Sequence, residues 1–370
     1  MPAGQLSIAQ RPEAAARRSR APRTPQKASP PVVALKPLSA EGNAFSGAFS
    51  GHMDAAFKTV GFAWDRLGTR AYDVVVFHWP TEFFRPTRRK DTLALLARMA
   101  ADKARGTRFL WVAHNLAPHD GGSMASPATT AMFLRLLDGV IYLSHHSRRE
   151  AEQRYPVLTS KPALVTVHGR YDECAVPPRP HTAGAGRLLT FGLIRAYKNV
   201  TGLVKAAHKV TAEPFSLTVA GTPSEDGLAA EIAAAAQGEA RVTLDIRDHL
   251  MPADELERMI DAHDAVVLPY TAILNSGVAL HALARNRPIL APRLGSLAEL
   301  QDTVGPDFVH LFDGPISAPV LDTFLGRIAG RSLGTADLSK FGWDRVGADV
   351  SGFIASLLGL PTSELIGHRP

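Results

Sequence analysis

From residue 31 onward, short and uniformly apolar runs alternate with stretches of helical periodicity, and the alternation is interrupted once. The runs before the interruption are Val32-Val33-Ala34-Leu35, Tyr72 to Phe77, Phe109 to Ala113, Gly139 to Leu143 and Ala163 to Val167. A strand that is apolar on both faces has to be covered on both faces, which is the condition of a parallel sheet flanked by helices. Residues 91–103 place Leu93, Leu96 and Met99-Ala100 on one helical face, and the Gly/Ser/Asn-rich stretch through Gly51 reads as a loop. The interruption runs from Glu173 to Gly186, with three prolines and two glycines in fourteen residues. Beyond it, strands are predicted near 187–192, 215–220, 241–246, 264–269 and 288–291. Helical segments such as Leu203–Lys209, Leu228–Gln237 and Ala253–Ala262 lie between them. The expected organisation is a first α/β domain over 31–172, a linker over 173–186, a second α/β domain over 187–345, and a helix and tail over 346–370. Such domains meet at the carboxyl ends of their strands, where open α/β sheets bind ligands.

Charge sharpens this division. The chain holds 41 basic and 35 acidic side chains, but residues 1–30 carry six basic groups against the single Glu13. The other 340 residues hold 35 basic and 34 acidic groups. Residues 1–30, with five prolines and few large apolar side chains, are expected to be a disordered basic tail. The near-neutral remainder argues against a broad basic face for nucleic acid. The lone Cys174 excludes an internal disulfide framework and a cysteine-rich zinc site. The N-terminus shows no apolar stretch of the signal-peptide kind. Ala265 to Ala284 lacks formal charge but contains Pro269, Asn275, Ser276 and Gly277, and so reads as strand, polar loop and helix rather than a membrane span.

Two segments carry anion-binding chemistry. In Phe191-Gly192-Leu193-Ile194-Arg195-Ala196-Tyr197-Lys198-Asn199, a strand ends at a glycine and a short loop brings two cations to the start of a helix. That arrangement suits a pyrophosphate. The competing reading is a loop with solvated charges. In Asn275-Ser276-Gly277-Val278, a polar turn opens a helix directly after a buried strand and offers backbone amides to an anion. The competing reading is an ordinary N-cap.

Taken in order, four pieces give residues 31–345 a resemblance to the GT-B glycosyltransferases of the broad GT4 type. They are Tyr72-Asp73 through His78-Trp79-Pro80; His114-Asn115-Leu116-Ala117-Pro118-His119-Asp120; Gly192, Arg195 and Lys198-Asn199; and Pro269-Tyr270 with Asn275-Ser276-Gly277 ending at Arg287-Pro288. The combination is similar to bacterial transferases that build exopolysaccharide repeat units. The resemblance implies two Rossmann-like domains facing across a cleft. It implies an enzyme that moves a sugar from a nucleotide-sugar donor, UDP-linked in the first place and GDP-linked in the second, to a saccharide or polyprenyl-diphosphate-linked acceptor. Gly192, Arg195, Lys198, Asn275, Ser276, Gly277 and Glu299 would hold the donor, Glu299 at the ribose hydroxyls. One departure stands out: the two glutamates that many such enzymes carry eight positions apart fall here on Ile273 and His281.

On the acceptor side, His114, His119 and Asp120 are the expected catalytic group, with His78, Asn115 and His168 as acceptor contacts. A core histidine bonded to backbone is the competing reading for His114. No metal or other cofactor is expected, since no helical His-x3-His spacing occurs around these residues. Phe83 to Lys90 joins two aromatics to four cations and fits an anionic lipid surface, or else a solvated helix start with two core phenylalanines. These readings place the chain in the cytoplasm, peripheral on the inner membrane. A nucleotide-sugar epimerase and a non-catalytic nucleotide-sugar-binding module are the alternatives on the same scaffold.

Overall fold

The computed structural model describes residues 29–39, 44–84, 88–116, 127–171, 176–182 and 184–361. The expected catalytic pair His119 and Asp120, Cys174 and the tail expected over residues 1–30 up to Ala28 therefore lie outside the described residues.

Among the described residues, twelve strands form two six-stranded sheets, and every strand pair is parallel. The first sheet contains β1 (Val32–Lys36), β2 (Lys58–Gly61), β3 (Val74–Phe77), β4 (Arg108–Val112), β5 (Gly139–Tyr142) and β6 (Ala163–Val165) in the order β2-β1-β3-β4-β5-β6. The second contains β7 (Arg187–Phe191), β8 (Ser216–Gly221), β9 (Val242–Ile246), β10 (Ala265–Val267), β11 (Ile289–Pro292) and β12 (Val309–Phe312) in the order β12-β11-β10-β7-β8-β9. These are two Rossmann-like domains. All four residues of β3, Val-Val-Val-Phe, are buried, as a strand sandwiched between helical layers requires. Edge strand β2, Lys-Thr-Val-Gly, is only half covered, and its mixed composition explains why no apolar run announces it.

Helices cover both faces of each sheet. Leu96, Met99, Phe133 and Leu134 pack on one side of the first sheet. Phe45 and Phe49 pack on the other with Trp343, Val346, Val350 and Ile354. Two of these placements differ from expectation. Residues Ala44–Gly51 form a helix where the Gly/Ser-rich composition reads as a loop, because Phe45 and Phe49 at i,i+4 spacing share one buried face. The last helix, Trp343–Leu358, begins before residue 346 and crosses back to complete the core of the first sheet.

The chain passes between the sheets after Val165, and the run from Val176 is already tied to the second domain. Val176 donates its amide to Glu257 Oε2 at 2.7 Å, and the amide of His181 donates to Gly334 O at 2.7 Å. Phe83 and Phe84 are in the core, which corrects the lipid-surface reading of that segment. The packing of the first domain needs both rings, so only the exposed cations Arg88, Arg89 and Lys90 of the described part remain available to a headgroup. Among the described residues, no helix is long and apolar enough to cross a membrane.

Candidate active site

The carboxyl ends of the two sheets border a cleft of about 400 Å³. Trp79, His114, Asn115 and His168 line it from the first domain, and Arg195, Lys198, Tyr270, Ile273 and the turn Asn275 to Gly277 from the second. Seven of the expected binding residues and His114 thus meet in one space, although they come from loops far apart in the chain.

Gly192 follows β7 with φ +96°, a left-handed backbone that a side chain would strain. A β-carbon at 192 would sit 3.7 Å from Lys198 Nζ, an ordinary contact, so the backbone conformation and not space is what calls for glycine. Lys198 is 9 % exposed and lies over the ring of Tyr270, 5.7 Å from its centroid. Burial, with the positive charge of Arg195 beside it, brings the ammonium down from its ordinary value to about 8. Among the described residues no carboxylate pairs with this cation, and a bound diphosphate would supply the counter-charge. Such binding would stabilise the ammonium, so affinity should be full below pH 8 and fall as pH rises through 8, by up to about tenfold per unit. Calorimetric titration of the nucleoside diphosphate from pH 6.5 to 9.5 should show this decline, and a Lys198→Met variant should abolish it. A flat wild-type profile would remove Lys198 from the phosphate site.

The helix Gly277–Ala284 starts at the cleft. Ser276 caps it, accepting from the amide of Ala279 at 3.2 Å, so the N-cap reading holds for this side chain. The first amides of a helix have no partner within it, and here Gly277 and Val278 line the same cleft as Lys198 and Arg195. A β-carbon at 277 would lie 2.7 Å from Tyr171 Oη and 3.6 Å from His168 Nε2, so glycine is what allows the two domains this close an approach.

On the opposite wall, His78 and His114 form a buried pair, Nδ1 to Nε2 at 3.1 Å. The His78 ring is fully enclosed, and burial pushes it down to about 3, so it stays neutral. Among the described residues, His78 Nε2 has no hydrogen-bond partner. If His78 Nδ1 donates, the orphan is a bare ring nitrogen rather than an N–H group, which is the cheaper arrangement. His114 Nε2 is then the acceptor. His78 is thus a positioning group in the core behind His114 and does not line the cleft. Trp79 stacks on His114 with centroids 4.7 Å apart, and Phe45 meets it edge-on at 4.5 Å. His168 Nδ1 donates to Gly169 O at 2.9 Å, leaving Nε2 as an acceptor, and burial brings its ring to about 4.

Two residues are engaged elsewhere than expected. Both oxygens of Glu299 accept backbone amides, those of His145 at 2.9 Å and His146 at 2.5 Å. Asn275 Oδ1 accepts from Ser147 Oγ at 3.0 Å. Of the two positions where related enzymes carry glutamate, Ile273 lines the cleft. His281 is packed under Tyr171, stacked at 4.7 Å, and kept neutral by burial, at about 4. The aromatic frame of Phe45, Trp79, Tyr171 and Tyr270 carries no pattern of its own in the sequence, because its members come from four separate segments. Among the described residues, no cluster of three His, Cys, Asp or Glu side chains could hold a metal ion.

A double Rossmann-like scaffold with a basic pocket on one wall and histidines on the other defines a GT-B sugar-transfer enzyme. The chain belongs to the group 1, GT4-like glycosyltransferases and is a nucleotide-sugar-dependent glycosyltransferase. The family model described as "Glycosyl transferases group 1" matches residues 185–309. A GDP-mannose:glycolipid 4-beta-D-mannosyltransferase of Xanthomonas campestris pv. campestris is 33% identical over 282 residues, 75% of this chain and 77% of the relative. Among solved structures, the Anabaena HepE protein in complex with UDP superposes with a TM-score of 0.55 at 12% identity, covering 89% of this chain and 99% of that one. A glycosyltransferase from Rickettsia africae gives 0.55 at 12% identity, covering 91% and 99%. At such identity these two structures speak for the fold alone. The family membership does not favour the epimerase or the non-catalytic module.

Proposed function

We propose that the enzyme transfers mannose from GDP-mannose to a lipid-linked saccharide, with inversion to a β-mannoside, in the assembly of a surface or exported polysaccharide. The observation that carries this reading is the opposition of the Lys198–Arg195 pair to His114 and His168 across one cleft. The donor and the linkage follow the Xanthomonas relative, whose name specifies both. That relationship supports placing GDP-mannose ahead of the UDP-sugars expected first from the sequence. GDP-mannose carries its sugar α-linked, so a β product requires attack from the face opposite the leaving group. The replacement of the usual glutamate pair by Ile273 and His281 is in keeping with a departure from retaining chemistry.

In this reading, Lys198, Arg195 and the amides opening the helix at Gly277 hold the diphosphate and stabilise it as it departs. The transition state is oxocarbenium-like, and leaving-group charge is the main electrostatic load. The acceptor hydroxyl lies on the first-domain wall, where Asn115 and the Nε2 acceptor of His168 orient it. The base comes from the segment that starts at His114 and includes His119 and Asp120. No metal or other cofactor takes part. With a lipid-linked acceptor, the exposed Arg88, Arg89 and Lys90 face anionic headgroups, each contributing about 1 kcal/mol.

A thermal-shift panel of GDP-, UDP- and dTDP-sugars tests the donor. GDP-mannose at a hundredfold excess over its dissociation constant should add about 2.7 kcal/mol of stability, and UDP-sugars at equal concentration much less. Proton NMR of the product should then show the β anomer. Stabilisation by a UDP-sugar with none from GDP-mannose would overturn the donor, and an α product would overturn the inversion.

A further inference from the structure

The helix His145–Arg154 follows β5 in the first domain and is capped only in part by its own sequence. Ser144 Oγ accepts from the amide of Ser147 at 2.9 Å. The amides of His145 and His146, ahead of it, are taken by the carboxylate of Glu299, which sits in the first turn of the helix Leu297–Val304 in the second domain. A carboxylate of one domain thus caps a helix of the other, where the helix dipole favours negative charge. Asn275 adds a second tie at the same place. Its Oδ1 accepts from Ser147 Oγ at 3.0 Å and from Ser144 Oγ at 3.4 Å, and its Nδ2 donates to His114 O at 3.5 Å. Asn275 belongs to the turn that opens the anion-binding helix.

We propose that Glu299 and Asn275 are positioning residues that latch the two domains in the closed state, coupling the phosphate-binding turn to the acceptor wall. The surroundings suit a latch that opens. Beside it lies a cavity of about 250 Å³ lined by both domains, with Ser144, Thr166, Asn275 and Glu299 next to apolar residues such as Leu143 and Leu280. A hollow interface of mixed polarity separates at lower cost than a close-packed apolar core would. Closure excludes the water that would otherwise hydrolyse the donor. The latch rests on the function proposed above only for its activity readout.

Hydrogen exchange on the full-length chain, read at residues 144–150, tests the latch without any ligand. Glu299→Ala should raise exchange at His145 and His146 by about tenfold, and Glu299→Gln, which keeps one acceptor oxygen, should fall between it and the wild type. With GDP-mannose and acceptor, Glu299→Ala should lower kcat by about tenfold and raise donor hydrolysis relative to transfer, while KM for the donor changes little. Asn275→Ala, which leaves the Glu299 cap intact, should shift the same ratio and serves if Glu299→Ala fails to fold. Wild-type exchange in Glu299→Ala, or an unchanged hydrolysis ratio in both alanine variants of an active enzyme, would overturn the proposal. Faster exchange in a chain that does not accept GDP-mannose would uphold the latch and overturn the donor assignment instead.

Discussion

Replacing Lys198 with alanine should lower kcat/KM for the nucleotide-sugar donor by about 10²–10³, the scale on which one charge-stabilising donor in a closed site acts. The side chain is buried against Tyr270, and its ammonium sits within a few ångströms of the Gly192 backbone at the end of β7. In the proposed function the departing diphosphate meets a cation that burial screens less than bulk water would, and Arg195 is the neighbouring cation left when the chain is cut to alanine. Arg195 is half exposed and should matter less. Lys198→Arg should recover little, because a planar fork does not fit where a compact ammonium has been packed beneath a ring. Steady-state kinetics with a verified donor measure all three variants. A loss below about threefold in Lys198→Ala would show that the diphosphate binds elsewhere.

Arg285→Leu should destabilise the protein by about 3–5 kcal/mol, the usual cost of removing one partner from a buried ion pair. Arg285 is fully buried and bound to Asp261 and to Glu257, the latter at 3.4 Å, and both carboxylates are themselves enclosed. Its guanidinium also donates to the carbonyls of Val176 and of Pro177, the latter at 3.2 Å, and so ties the interdomain run to the second domain. Leucine fills the volume but leaves two carboxylates facing an apolar core, with Arg287 as the remaining cation near Asp261 at 3.8 Å. Melting should drop by roughly 10 °C on the scale for a domain of this size. The double change Arg285→Leu with Glu257→Gln should recover part of the loss, since the penalty comes from the charge left behind. A drop of less than about 2 °C would mean that water reaches the network.

How far each element could be read beforehand depended on whether its cause was local. The apolar strands β3, β4 and β7 declare themselves, because burial on both faces demands unbroken apolar runs. The local structure around Gly192, Arg195 and Lys198 is equally legible, since a strand, a tight turn and a helix start follow one another within nine residues. The helix Ala44–Gly51 is not, because its glycines and serines speak for a loop and only the later burial of Phe45 and Phe49 decides otherwise. Phe83 and Phe84 beside a run of cations have two good explanations until their packing selects the core.

The amino-acid order by itself determined the two-domain α/β architecture and the cationic loop that follows the first strand of the second domain. These rest on periodicity and on neighbours within a turn or two. Only the tertiary structure decided that His114 is backed by His78, that His281 is stacked and neutral, and that Glu299 serves a helix 153 residues earlier in the chain. The physical reason is that a side chain's protonation and its partners depend on what is packed around it. In this fold, those neighbours come from distant segments of the same domain, as for His78 and His114, or from the opposing domain, as for Glu299.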